Sequence, residues 1–280
     1  MREINYTKIM KKARNLKVAL SLVIAAILLL PGSGCDKDDT PEKETIYNLN
    51  AQDVLGVTGT ATFTETSKTS TTITLKLFNA PTGTHPAALY MNTVAEGGTI
   101  VAELNPIDDS GISSTRINML TYNQLIEYDG FIRILKDNSE SSEILAQGDI
   151  GGNVITDTNV IYTLNAIDNF GVSGTALFEK RKNENTLVTI NLEGTIAGEF
   201  YPATINLSSV TTIGGGPVTK TLNLVDGNTG KSYTTIRKLD GGMDITYANW
   251  LVYNGYINIY QSAVEFENII SQGDIGSNAN

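Results

Sequence analysis

The chain runs to 280 residues, 41% apolar and 18% charged, the balance of a globular protein of one or two domains. One Cys and one His exclude an intrachain disulfide, a cysteine-based zinc site and a multi-histidine metal centre. The net charge of −10 argues against nucleic acid as a partner, because phosphate contacts need basic surface.

Residues 1–34 read as a targeting segment. Arg2, Lys8, Lys11, Lys12, Arg14 and Lys17 form a basic stretch opposed only by Glu3. An apolar run from Val18 to Leu30 follows, broken only by Ser21. A membrane-spanning helix needs about 20 apolar residues, so this run has the length of a signal-peptide core rather than of a transmembrane anchor. Pro31-Gly32-Ser33-Gly34 then leads into Cys35.

Small residues directly before the sole cysteine resemble the lipobox of bacterial lipoproteins, with Gly32 at the position where that motif has Leu. The resemblance implies cleavage before Cys35, lipidation of its thiol, acylation of the new amine and anchoring to a membrane. Asp36-Lys37-Asp38-Asp39 opens an acidic, flexible tether expected over 35–45. Lys followed by two acids after the lipidated Cys resembles a surface-export signal of lipoproteins in one Gram-negative phylum. It implies display on the outer face of the outer membrane. Loss of 1–34 removes six basic residues and one acid, so the remaining chain is still more acidic, which favours solubility.

The rest is one unit written twice. Ile46-Tyr47-Asn48-Leu49-Asn50-Ala51 returns as Ile161-Tyr162-Thr163-Leu164-Asn165-Ala166, and Gly59-Thr60-Ala61 with Phe63 returns as Gly174-Thr175-Ala176 with Phe178. Leu104-Asn105 with Asp108 returns as Leu222-Asn223 with Asp226, and Tyr128, Gly130, Ile132 and Ile134 return as Tyr253, Gly255, Ile257 and Ile259. Gln147-Gly148-Asp149-Ile150-Gly151 returns unchanged at 272–276. The reading is two domains, 46–153 and 161–280, with a linker over 154–160.

Each copy reads as strands. Thr72-Ile73-Thr74-Leu75-Lys76-Leu77 alternates polar and apolar, and equivalent strands are expected at 57–64 and 172–179 and at 131–135 and 256–260. Turn signals stand at 79–83, 96–98 and 226–230. A short helix is expected at 121–126, with Thr121 as N-cap and Gln124 closing a capping box; Thr246 and Asn249 hold those places in the second copy. Short strands with close turns predict an all-β protein of two tandem antiparallel β-sandwich domains, immunoglobulin-like or Greek-key, with a barrel as the other way to close such strands.

The succession of the Gly-x-x-Gly-Thr-Ala-x-Phe strand, Pro86-Ala87 and Pro202-Ala203, the Tyr-x-Gly-x-Ile-x-Ile strand and the closing Gln-Gly-Asp-Ile-Gly resembles the CHRD domain, named from chordin. The resemblance covers both halves. It implies a β-sandwich module without an established enzymatic reaction. Family members often carry His-x-His after the Pro-Ala step, where this chain has Ala88-Leu89-Tyr90 and Thr204-Ile205-Asn206.

Candidate chemistry is sparse. His85, beside Pro86, reads as a strand-end residue rather than a catalyst, and Tyr201 holds its place in the second copy. Asp149 and Asp274 are either paired carboxylates, or cation ligands, or turn residues that cap backbone amides beside flexible glycines; the last is the better account. Asp226-Gly227-Asn228-Thr229-Gly230 resembles a calcium loop only faintly and lacks the distant bidentate Glu. The 12 tyrosines are either a glycan-stacking surface or ordinary sheet filler. No Gly-rich loop carries a P-loop Lys. The expectation is therefore a non-catalytic, lipid-anchored surface module without cofactor or metal, which binds a protein or glycan or serves as an envelope component. The alternative is an extracellular hydrolase acting on a polymer through paired carboxylates.

Overall fold

Alternation of polar and apolar residues builds the walls of two eight-stranded units. The computed structural model describes residues 43–139, 142–167, 169–262 and 268–279. The expectations for the signal segment 1–34, Cys35 and most of the tether lie outside these residues. The first unit contains β1 (Glu44–Ala51), β2 (Thr58–Ser67), β3 (Ser70–Phe78), β4 (His85–Met91), β5 (Ile100–Ile107), β6 (Ile112–Ile117), β7 (Gly130–Leu135) and β8 (Ile144–Ile150). The second contains β9 (Ile155–Ala166), β10 (Ser173–Arg181), β11 (Thr186–Glu193), β12 (Phe200–Leu207), β13 (Val218–Asp226), β14 (Lys231–Ile236), β15 (Asn254–Tyr260) and β16 (Ile269–Gly276). Among the described residues no helix is long and apolar enough to cross a membrane.

The all-β, antiparallel class holds, and the closure is barrel-like. The first unit orders its strands β5-β4-β7-β8-β1-β2-β3-β6, and the second is a closed barrel in the order β10-β11-β14-β13-β12-β15-β16-β9. In the second, three successive strands run side by side and the fourth returns beside the first of them, as β15-β12-β13-β14, which is a Greek key; the first has the same order with its β5–β6 link unpaired. Alternation demands only one buried face, which a sandwich and a barrel both provide, and here the packed sheets take the barrel-like form. The first and last strands of each unit pair, Asn50 with Gln147 and Asn165 with Gln272, and only in the second unit does the ladder run unbroken all the way round.

β3 shows the pattern at work: Ile73, Leu75 and Leu77 are buried while Lys76 points to solvent. Each such side chain gains about 1.5–3 kcal/mol by leaving water. The interiors match across the repeat. Tyr47 meets Phe63 edge-on at 5.0 Å, and Tyr162 meets Phe178 at 5.2 Å. A one-turn helix plugs each barrel: α1 (Tyr122–Ile126) with Leu125 and α2 (Tyr247–Leu251) with Trp250, both fully buried. Both helices carry the expected capping box, Thr121 with Gln124 and Thr246 with Asn249.

Two boundaries differ from expectation. β1 begins at Glu44, inside the span read as tether. All but the first residue of the span 154–160, read as a linker, is the first part of β9. Its polar residues misled because an exposed strand face is as polar as a linker. Thr156 donates its hydroxyl to Lys180 O at 3.0 Å, and Ile155 pairs with Arg181. The barrels abut without a spacer.

Candidate functional site

The repeated Gln-Gly-Asp-Ile-Gly runs along β8 and β16, and each of its residues has a structural partner. Gly148 lies against Asn48 O and Gly273 against Thr163 O; an added Cβ would fall 2.3 Å and 2.0 Å from those oxygens. Gly151 and Gly276 both adopt φ +59°, and a Cβ there would strike the Tyr128 and Tyr253 carbonyls. The aspartates between them act as clamps. Asp149 Oδ1 accepts from the Val94 N–H at 2.7 Å, and Asp274 Oδ1 accepts from the Val210 N–H at 2.9 Å. The expected amide-capping role holds, with one difference: each aspartate caps a loop distant in sequence, not its own turn. The two carboxylates belong to different barrels.

The motif extends two residues further than its strict identity. Asn153 Nδ2 donates to Asn92 O at 2.6 Å, and Asn278 Nδ2 donates to Ser208 O at 2.7 Å. Asn92 and Ser208 both have positive φ, +66° and +81°, so each asparagine pins a strained turn. The shared Asn at the same spacing after both motifs was the signal in the sequence.

What sets the first motif apart is Arg181, at the end of β10. Its side chain is 0% exposed, and Nη1 donates to Asp149 Oδ2 at 2.8 Å and to Asn153 O. Its Nε and Nη2, and Asn153 Oδ1, find no partner among the described residues. Around it the second barrel holds the first by its β10–β11 turn. Asn183 Nδ2 donates to Asp129 Oδ1 at 2.6 Å, and the Asn183 and Lys182 N–H groups donate to Gly152 O and Val154 O. Glu96 Oε1 accepts from the Thr235 N–H at 2.8 Å. A Cβ on Gly152 would lie 2.7 Å from Asn183 Nδ2, so glycine is needed where the turn docks. Burial pushes the Asp149 carboxyl above its usual range, with the Arg181 guanidinium and the Val94 N–H working against it.

A cleft of about 390 Å³ runs between β1 and β8, lined by Tyr47, Asn48, Asp149 and, from the second barrel, Lys182. Its counterpart of about 480 Å³ between β9 and β16 is lined by Tyr162, Thr163, Asp274 and Asn278.

The other candidates fall into structural places. His85 is buried; Nδ1 faces Lys136 O at 2.8 Å and Nε2 faces Pro81 O at 2.9 Å. Tyr201, its counterpart, accepts from the Ile196 N–H at 2.8 Å, holding the equivalent loop by other chemistry. Asp226 Oδ1 accepts from the backbone and side chain of Asn228, which makes 226–230 a hairpin turn. Tyr47, Tyr122, Tyr162, Tyr201 and Tyr247 are buried, so they pack cores rather than form a stacking surface. No cluster of three His, Cys, Asp or Glu with metal-binding geometry occurs among the described residues. Compared with protein-family models, with curated proteins and with solved structures, the chain finds no match.

Proposed function

We propose that this chain is a non-catalytic module of the cell envelope, lipid-anchored through Cys35 and displayed at the surface of a Gram-negative outer membrane, where it binds or spaces macromolecules. The observation that carries this reading is the use of its best acid candidates. Asp149 has one oxygen on Val94 N–H and the other on Arg181, and Asp274 has its oxygens on Val210 N–H and Ser209 Oγ. A general acid or nucleophile needs a carboxylate oxygen available to a substrate, and here both oxygens of each are engaged by backbone amides, Arg181 or Ser209. The resemblance to CHRD domains supports the same reading. A joined pair of barrels beyond an acidic segment suits presentation away from a membrane.

Two measurements test it. Mass spectrometry of the membrane form reads the anchor: the expected N-terminus is a lipidated Cys35, and an unmodified Cys35 or a retained 1–34 segment overturns it. A glycan array and a panel of envelope proteins read the binding half. Saturable binding to a defined partner is expected. Polymer turnover lost on Asp149→Asn or Asp274→Asn in a folded protein overturns the non-catalytic reading.

A further inference from the structure

The outer face of the first barrel carries a cleft that none of the clamps uses. Strands β4 and β7 pair with Ala88 opposite Arg133 and Tyr90 opposite Phe131. Alternation sends these side chains outward, and Phe131, though fully buried, stands outside the interior cluster. The Tyr90 and Phe131 rings stack at 4.8 Å and 11°. The Arg133 guanidinium lies over both, 5.3 Å and 5.1 Å from their centroids. Arg133 Nε donates to Gln147 Oε1 at 2.8 Å. The guanidinium is thus fixed in plane by a stack and at one edge by a hydrogen bond, while its two Nη groups make no hydrogen bond or ion pair among the described residues. In front of it Ala87 and Ala88 leave a cleft of about 180 Å³, walled by Glu103, Asn138 and Ser139.

We propose that this cleft binds a hexuronate, a carboxylate-bearing sugar residue of an acidic glycan; the proposal rests on reading the chain as a binding module and names its ligand class. Two Nη groups of a plane-fixed guanidinium match the two oxygens of a carboxylate. Glu103 supplies an acceptor, and Asn138 and Ser139 supply donors and acceptors, for the hydroxyls of a sugar ring. A more highly charged phosphate is disfavoured by Glu103 in the same wall and by the net charge of −10. A peptide is disfavoured by position: β4 and β7, which form the floor, are each paired on both sides, so the cleft lies on a sheet face and neither strand offers a free edge. The volume is below the about 300–1,000 Å³ of drug-sized sites, which leaves room for one residue rather than an oligomer.

The second barrel has no counterpart. Thr204, Asn206, Asn258 and Tyr260 stand where Ala88, Tyr90, Arg133 and Leu135 stand in the first, and all four are buried. Thr204 Oγ1 donates to Asn206 Oδ1 at 2.7 Å, and its hydroxyl meets that of Tyr260 at 3.2 Å. The site belongs to the first barrel alone.

Saturation-transfer NMR on the intact protein in detergent, with glucuronate and galacturonate as probes and glucose and acetate as controls, tests the proposal. The expected result is hexuronate binding at least about tenfold tighter than either control. Arg133→Gln should abolish it. Arg133→Lys, which keeps the charge and loses the planar fork, should weaken it about tenfold. Ala88→Leu should block the cleft with Arg133 intact. Unchanged thermal midpoints show that the variants fold. Hexuronate binding unaffected by Arg133→Gln and Ala88→Leu overturns the proposal, as does acetate binding as tightly as hexuronate or no hexuronate transfer at all. If a glycan or protein from the arrays binds equally to wild type and to both variants, the binding-module reading stands and this cleft is excluded as its site.

Discussion

The two barrels are the same unit in two situations, and what differs between them is what one does to the other. The first is two four-stranded sheets that meet along β1–β8, and its β5 and β6 edges lie side by side without a ladder. The second zips the matching edges by one ladder pair, Asp226 with Lys231. The clasp over the seam is shared. The Asn105 N–H donates to Thr115 Oγ1 and its Nδ2 donates to Ser114 O, and Asn223 does the same toward Thr234 Oγ1 and Tyr233 O. The ends differ more. Gly151, Gly152 and Asn153 are buried beneath the β10–β11 turn, while Ser277 at the matching end of the second barrel is exposed. Docking, not the internal fold, accounts for Gly152 against Ser277 and for Arg181 where the first copy, 115 residues earlier, has Thr66. A Cβ is tolerated where no turn arrives, and a buried guanidinium is needed only where a carboxylate is covered.

The largest effect expected is at the joint. Arg181→Ala leaves the Asp149 carboxylate covered and unpaired, which costs about 3–5 kcal/mol for a broken buried pair. Asp274→Ala loses an amide clamp at the open end, costing about 1–3 kcal/mol. Urea denaturation measures both, and equal costs would break the comparison. Because Trp250 is the sole tryptophan, its fluorescence follows the second barrel while circular dichroism follows both. In the wild type the two transitions should coincide; in Arg181→Ala they should separate.

The plugs come next. Trp250→Ala should cost about 3–5 kcal/mol and Leu125→Ala about 2–5 kcal/mol, since each empties a fully buried site. The Trp250 Nε1 has no partner among the described residues, so Trp250→Phe should cost far less than Trp250→Ala in thermal unfolding followed by circular dichroism. Gly151→Ala and Gly276→Ala should each cost about 1–3 kcal/mol, equally in both barrels, because the positive φ and the tyrosine carbonyl are the same in each. Unequal midpoints for this pair would show that docking reshapes the first motif.

At the seam, Asn105→Ala should cost about 1–2 kcal/mol and Asn223→Ala less, because the second barrel keeps a ladder pair. Hydrogen exchange at Asn105 and Asn223, whose N–H groups face Thr115 and Thr234, reads this directly. The smallest effect is with pH. Burial raises the folded-state pKa of Asp149, so the folded protein keeps that proton to higher pH than the unfolded chain does. Stability contributed by this group therefore falls as pH rises from the ordinary carboxylate range through the raised value, and the cost is complete above it. Asp149→Asn should remove that slope from a plot of urea midpoint against pH.

Much of this was legible beforehand. Offsets between copies located both barrels, both capping boxes and the paired glycines, because each is a local demand on φ, on a helix end or on the spacing of apolar residues. Two things were hidden. The strand nature of 154–160 was masked by its polar composition. The role of Asn105 and Asn223, though both stood in the repeat, needed a partner strand ten residues away to define it.

Sequence alone determined the class of structure, the duplication, the turn positions and the residues of the core, since period-two burial and glycine turns are short-range physics. It also carried the pattern read as an anchor at Cys35. Tertiary structure decided that the strands wrap into barrel-like units, the first and last strands pairing in each and the second unit closing fully. It decided as well that Arg181 belongs to Asp149. That pairing joins residues of different copies, and no repeat offset relates them. It exists because covering a carboxylate in low dielectric demands a cation, and the second barrel supplies one where it lands.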